Sequence, residues 1–425
     1  MSSTVAHAAG PKSLDSAWVR QQFPSLQTQV NGQAAAFLDG PAGTQVPRQV
    51  VDAISNYLLH DNANTCGAFA TSRQNDAMIA RARQAMADFF NCAADEVSFG
   101  QNMTTITFAL SRAIGRELKA GDEIVVTTLD HDANVAPWRA LEEKGVVIRQ
   151  VDIHESDCTL DLEDLKRKIT NKTKLVAVGY ASNAVGTINP VAEITKLSHA
   201  AGALVFIDAV HYAPHGAIDV KALDCDFLAC SPYKFFGPHM GTLYGKREHL
   251  LRFSPYKVRP APDALPDRWE TGTQVQELIA GIAAAVEYLA EVGRRHDPSA
   301  QDRRSALLAA YRVTRDHEMA LFAELMEGLL AIPGLRVFGI RDFKRFSERC
   351  STVSVRLEGR TPTEVATFLG DRGIFTWDGN FYALNLTERL GVQASGGLLR
   401  IGLVHYNTAD EVERLLTALR EFSVN

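Results

Sequence analysis

Between about residues 75 and 250 the chain alternates short, unbroken apolar runs with longer stretches whose apolar positions recur at helical spacing. Glu123–Thr128 (EIVVTT), Lys174–Gly179 (KLVAVG), Ala203–Ile207 (ALVFI) and Phe227–Cys230 (FLAC) have few polar interruptions. Such runs are expected of strands covered on both faces. Met78–Phe90, ahead of the first of these runs, and Val191–Ala201, between two of them, read as amphipathic helices. Buried strands separated by helices predict an α/β fold, a mainly parallel sheet with helices on both sides.

Further along, residues 254–275 are rich in Pro, Arg and Asp and read as a loop. Two helical patterns follow, Val275–Val292 and Arg303–Leu330, joined by the polar stretch GRRHDPSAQDRR. From Gly334 onward, strands at Leu335–Gly339, Thr352–Leu357 and Leu398–Leu403 mix with helices at Pro362–Arg372 and Ala409–Phe422. This mixture predicts a smaller α+β domain. The opening MSSTVAHAAGPKS lacks the apolar stretch of a secretory signal and reads as a disordered lead.

Composition narrows the function classes. With 425 residues and a formal net charge of -6 spread along the chain, a general nucleic-acid binder is not expected. No apolar run reaches the roughly 20 residues of a membrane span. Six cysteines (Cys66, Cys92, Cys158, Cys225, Cys230, Cys350) are scattered without a CxxC pair. That spacing predicts neither a disulfide framework nor a zinc site, and favours a reducing, cytoplasmic setting.

Chemistry-bearing residues are sought just after the apolar runs, because open α/β sheets bind ligands at the carboxyl ends of their strands. Asp208 ends ALVFIDAVHYAPH, and a buried carboxylate there needs a partner. A pyridinium nitrogen would supply one, and capping of the next helix is the alternative. Lys234, in CSPYKFFGPHMG, follows FLAC by a few residues. A partly desolvated lysine condenses readily with an aldehyde. Asp208 and Lys234, at the ends of successive strands, are spaced to meet the two ends of one ring. Met103, Thr104 and Thr105 lie between EVSFG and the helical ITFALSRAIG. They form a candidate phosphate cradle, compatible with a plain Thr N-cap.

Together these motifs resemble the class V aminotransferases of pyridoxal-phosphate fold type I, in particular the cysteine desulfurases and their relatives. The resemblance runs from LDGPAG near residue 38 to the last helix. It implies a large domain with a mainly parallel seven-stranded sheet and a smaller α+β C-terminal domain. The implied boundaries are 1–35 for an N-terminal segment packing with the small domain, 36–292 for the large domain and 293–425 for the small one. It further implies pyridoxal 5'-phosphate as cofactor, a small amino acid as substrate, and a homodimer with shared active sites.

Residue by residue, the resemblance makes Lys234 the cofactor's imine partner and stacks His131 on the ring. It sets Asp208 against the ring nitrogen, and Asn183 near the phenolic oxygen and the substrate carboxylate. His211 falls where desulfurases have a glutamine touching that oxygen. Ser231 and Tyr233 occupy phosphate-binding positions, Tyr233 in place of a histidine. Thr273, in WETGTQ, corresponds to a threonine that reaches the neighbouring subunit's phosphate. Arg400, in LLRIGLVHYNT, corresponds to the arginine that clamps the substrate carboxylate.

One element departs from the pattern. Desulfurases take sulfur on a loop cysteine, whereas the matching segment here is Trp377-Asp378-Gly379-Asn380-Phe381-Tyr382-Ala383, with Tyr382 at the cysteine position. Cys66 has no basic neighbour in sequence to activate it. Asn64, Trp377 and Asn380 are expected to complete the pocket. The leading expectation is therefore Cβ–S lyase or desulfurase-like chemistry, with Lys234 or His131 moving the proton at Cα. An epimerase, with Tyr382 as acid on the second face, or an aminotransferase is the alternative. A non-catalytic sulfur-transfer scaffold or regulator is the reading from another class.

Overall fold

The computed structural model describes residues 13–424; the N-terminal lead, apart from Ser13, lies outside them. Seven strands form one sheet in the spatial order Val97–Gly100, Gly241–Gly245, Phe227–Cys230, Leu204–Asp208, Thr173–Gly179, Glu123–Thr127 and Val147–Val151. Gly241–Gly245 runs antiparallel to both neighbours, and the other adjacent pairs are parallel. The mainly parallel sheet is thus present, with all four expected strands at its centre. Their apolar continuity has a plain cause. Val205, Phe206 and Ile207 are fully buried, as are Val176, Ala177 and Val178 on the adjacent strand. Helices cover both faces, and removing each large side chain from water contributes about 1.5–3 kcal/mol.

Two sheet strands escape the apolar-run criterion. Val147–Val151 is an edge strand whose first four residues are at least partly exposed, so its sequence mixes charge with Val and Ile. Gly241–Gly245 is buried throughout but contains two glycines, which dilute the strand signal.

The second sheet is antiparallel, in the order Leu335–Phe338, Thr352–Leu357, Leu398–Gly402 and Trp377–Gly379. The helices Pro362–Gly370 and Ala409–Val424 pack with it around a core that includes Phe322, Val353, Ile401 and Leu415. Near the N-terminus, Ala36–Phe37 pairs in parallel with Ile374–Phe375, and Asn31 Nδ2 donates to the Asp371 carbonyl at 2.8 Å.

The helix expected from Met78 begins earlier, at Ala70, and runs to Phe90. The helix Gln276–His296 continues past Val292, so the first residues of the supposedly polar connector form its last turn. Gly293 is buried there because the helix Arg303–Leu330 crosses closely, and a methyl on Gly293 would strike the Ala306 carbonyl.

Candidate active site

The sheet delivers its chemistry at one edge. His131 follows the strand Glu123–Thr127, Asn183 follows Thr173–Gly179, Asp208 ends Leu204–Asp208 and Lys234 follows Phe227–Cys230. These four line one cavity of about 890 Å³, together with Thr104, Thr105, His211, Ser231, Tyr233, Tyr382 and Arg400. Thr273 is not among the lining residues and lies exposed on its loop. Asn64 is also exposed and off the cavity, whereas Trp377 is on its wall. Asn380 acts one step away, accepting the Tyr382 N–H on its Oδ1 at 3.0 Å.

Lys234 Nζ donates to the carbonyls of Pro41 and Ala42, at 2.5 and 2.9 Å, and lies 4.8 Å from the Tyr233 ring centre. Loss of solvent around the ammonium, reinforced by the positive charge of Arg400, pulls its pKa down to about 7. A large share of this amine is therefore unprotonated at neutral pH, the form that attacks a carbonyl carbon. Asp208 is pushed up to about 6 by burial, while its Oδ1 accepts the Val210 N–H at 2.9 Å. A cation brought against it would restore its charge.

His131 caps the short turn that follows it, its Nδ1 accepting the Ala133 N–H at 3.0 Å. Burial lowers its pKa to about 4, so the ring is neutral with its proton on Nε2. His211 is held well below the ordinary histidine value, first by burial and then by His215, and its buried Nε2 has no partner. Asn183 Oδ1 and Arg400 Nε are likewise buried without partners. Arg400 Nη1 donates to the Asn183 carbonyl at 2.9 Å.

The helix Met103–Ile114 opens at the cavity mouth, capped by Asn102 rather than by a threonine. Asn102 Oδ1 accepts the Thr105 N–H at 2.9 Å, and Ser231 Oγ accepts the Met103 N–H at 3.1 Å. Exposed Thr104 and Thr105, buried Ser231 and the positive end of this helix together suit an anion.

Four participants had little or no sequence signal. Asp130, buried beside His131, accepts the Gly179 N–H at 2.6 Å, and burial plus the charge of Asp208 keeps its pKa well above normal. Asp39, raised to about 6 by burial, is felt electrostatically by both Arg400 and Lys234. His239 stacks on Tyr233 at 4.8 Å. Phe381 covers the Arg400 guanidinium at 4.3 Å. Asp39 in LDGPAG, His239 in CSPYKFFGPHMG and Phe381 in the 377–383 segment sit in stretches the sequence marks, yet none of the three is singled out there. The fold also brings His211, His215 and Cys350 within 4.8 Å of one another, a proximity hidden by their linear spacing.

These residues fit pyridoxal phosphate. The cavity has a desolvated lysine for the aldehyde, a buried carboxylate for the ring nitrogen and an anion site for the phosphate. His211 and Asn183 add unpaired polar atoms.

Comparison with known proteins agrees. The model of the aminotransferase class-V family matches residues 36–415. A cysteine desulfurase of Synechococcus elongatus is 34% identical over 98% of this chain, which spans 65% of that relative's length. A probable cysteine desulfurase of Synechocystis sp. is also 34% identical, over 95% of this chain and 94% of the relative. Among solved structures, the apo cysteine desulfurase from Thermococcus onnurineus superimposes with a TM-score of 0.86 at 28% identity, covering 97% of this chain and 99% of the other. The chain belongs to the aminotransferase class-V family and is a pyridoxal-phosphate-dependent enzyme.

Proposed function

We propose that this enzyme cleaves a Cβ–S bond of a small cysteine-like amino acid, releasing the sulfur rather than storing it on a protein thiol. The observation that carries this reading is the meeting of Lys234, Asp208 and Arg400 on one cavity wall that no cysteine reaches among the described residues. Cys66 is exposed elsewhere, and Cys158, Cys225, Cys230 and Cys350 are buried. Burial also raises the pKa of each of those four thiols, as it does for Cys92, the reverse of what a nucleophilic thiol needs.

Bound in the cavity, pyridoxal phosphate supplies the electron sink that lets an amino acid lose its Cα proton and a β-substituent. The residues of the chain do the rest. Arg400 holds the substrate carboxylate through its free edge, helped by Asn183. Lys234 would hold the cofactor's aldehyde, and its lowered pKa would suit its amine to moving the Cα proton near neutral pH. Neutral His131 would support the ring face, Asp208 would accept the ring N–H, and Thr104, Thr105 and Ser231 would hold the phosphate. His211 and Tyr233 complete the cofactor's surroundings.

We further assign residues 36–292 to the cofactor-binding domain and 293–425 to the small domain; of the 1–35 segment, the described residues 13–35 pack on the latter and the first twelve lie outside the described residues. The working unit is a homodimer, in which Thr273 faces the partner's site, and its setting is the cytoplasm.

The test is direct. The purified protein is examined for the visible absorbance band of a lysine-bound cofactor, then given L-cysteine while sulfide, pyruvate and ammonia are assayed. The three products in equal amounts, with the band absent in Lys234→Ala, support the reading. Alanine together with protein-bound sulfur overturns it in favour of a persulfide route. Absence of the band after cofactor addition returns the scaffold alternative.

A further inference from the structure

The loop 180–190 leaves the seven-stranded sheet after the strand Thr173–Gly179, yet much of its backbone is bound elsewhere. Four consecutive carbonyls, those of Asn183, Ala184, Val185 and Gly186, accept donors from the four-stranded sheet and the segment leading into it. Arg400 Nη1 donates to the first at 2.9 Å and Ser354 Oγ to the second at 2.6 Å. Arg349 Nη2 donates to the third at 3.1 Å, and the Cys350 N–H to the fourth at 2.8 Å. The Asn183 side chain turns the same way, its Nδ2 donating to the Phe381 carbonyl at 2.9 Å. Gly186 (φ 79°) permits the close approach, since a methyl on it would meet the Thr352 carbonyl.

Arg349 is the least expected of these donors. Its side chain is fully buried, and its partners are carbonyls rather than a carboxylate: Val185, Ile340, Thr352 at 2.5 Å and Cys350 at 3.4 Å. Burying a cation among neutral acceptors is costly, and it lowers the Arg349 pKa to about 9. What this cost secures is a fixed geometry. Val185 belongs to the Asn183 loop. Thr352 belongs to the strand Thr352–Leu357, which pairs with Leu398–Gly402, the strand of Arg400. Ser354 lies directly opposite Arg400 in that pair, so both side chains leave the sheet on one face, towards the loop. One guanidinium and one hydroxyl thus join the loop to the sheet on which Arg400 stands. Arg400 Nε and Asn183 Oδ1, both buried without partners, are thereby kept at a set separation.

We infer that Arg349 and Ser354 are positioning residues: off the cavity wall themselves, they lock the Asn183 loop onto the sheet that carries Arg400 and so set the spacing at which the two hold a substrate carboxylate. The inference rests on the role given to Arg400 and Asn183 in the function proposed above, and adds what holds them in register.

Ethylamine is L-alanine without its carboxylate. Both are titrated into the cofactor-loaded enzyme, and dissociation constants are read from the change in the absorbance band. The parent enzyme is expected to prefer L-alanine. Arg349→Met, which keeps apolar length but no donor, is expected to weaken L-alanine at least about tenfold and ethylamine less than about twofold. Ser354→Ala is the milder variant, decisive if Arg349→Met does not fold, with at least about a threefold loss for L-alanine alone. The carboxylate is held alike before and during reaction, so KM for L-cysteine should rise in both variants while kcat stays. A fold that is merely loosened would instead lower cofactor content and weaken both ligands together. That outcome overturns the inference, as does unchanged L-alanine affinity in the folded variants. A parent protein without the absorbance band, or without a preference for L-alanine, overturns the proposed function's carboxylate site and this inference with it. A parental preference that the variants retain overturns this inference alone.

Discussion

Lys234 is the residue whose titration is most exposed to experiment. Its ammonium is destabilised by burial and by Arg400, which brings the folded-state pKa from 10.5 to about 7. The sign is that of a depressed base: below that pH the amine is protonated and inert, and above it the amine is free. The neutral fraction rises from about one-tenth at pH 6 to about nine-tenths at pH 8. Reconstitution of cofactor-free protein, followed by stopped-flow absorbance, is therefore expected to quicken about tenfold across that interval and then level off. A rate still climbing steeply at pH 9 would mean that the cavity does not desolvate the amine. Asp208 gives a complementary prediction. Asp208→Asn removes a charge-assisted contact to the ring nitrogen and is expected to weaken cofactor binding about 10–100-fold, measured by fluorescence titration. Both residues were legible in sequence because Asp208 ends a continuous apolar strand and Lys234 follows one by a few residues. Phe381 was not, since its place over Arg400, a neighbour 19 positions away, is something no linear pattern records.

At the scale of elements, the interior strands were readable because burial on both faces leaves little choice of residue. The helix Arg303–Leu330 was readable from end to end, with Asp302 as its cap, accepting the Ser305 N–H at 2.8 Å. Its neighbour was harder. The last turn of Gln276–His296 contains Gly293, Arg294 and Arg295, which resemble a connector because glycine disfavours helix and the arginines imply water. In the fold, the glycine is what lets the two helices approach: a methyl there would meet the Ala306 backbone, and a carbonyl cannot swing aside as a flexible side chain can. Gly293→Ala gains helix propensity of about 1 kcal/mol, yet the clash should outweigh it. A net destabilisation of about 1–3 kcal/mol is expected from urea unfolding. A more stable Gly293→Ala protein would show that the helices can part without cost.

At the scale of the whole molecule, the uneven distribution of apolar surface bears on assembly. Leu58, Leu59 and Phe69 are 50%, 73% and 55% exposed, clustered in a segment that leads into the helix Ala70–Phe90. That segment is tied to the start of the helix Gln276–His296, since Tyr57 OH and Asn75 Nδ2 both donate to Gln276 Oε1, at 2.6 and 2.9 Å. Thr273, exposed and off its own chain's cavity, lies three residues before Gln276. Several exposed Leu and Phe side chains in one segment are a liability unless something covers them. A second copy packing here would bury them and bring its partner's residues near Thr273, the position expected from resemblance to reach across subunits. Sedimentation should therefore give twice the chain mass at micromolar concentration. Leu58→Glu combined with Leu59→Glu should shift the population towards monomer, because each carboxylate would have to be desolvated in the interface. If Thr273 serves the partner's phosphate, the same double variant should also bind the cofactor more weakly, although neither leucine lines the cavity. A variant that is monomeric yet binds cofactor normally would separate the two claims, leaving the dimer intact as a proposal and removing Thr273 from the site.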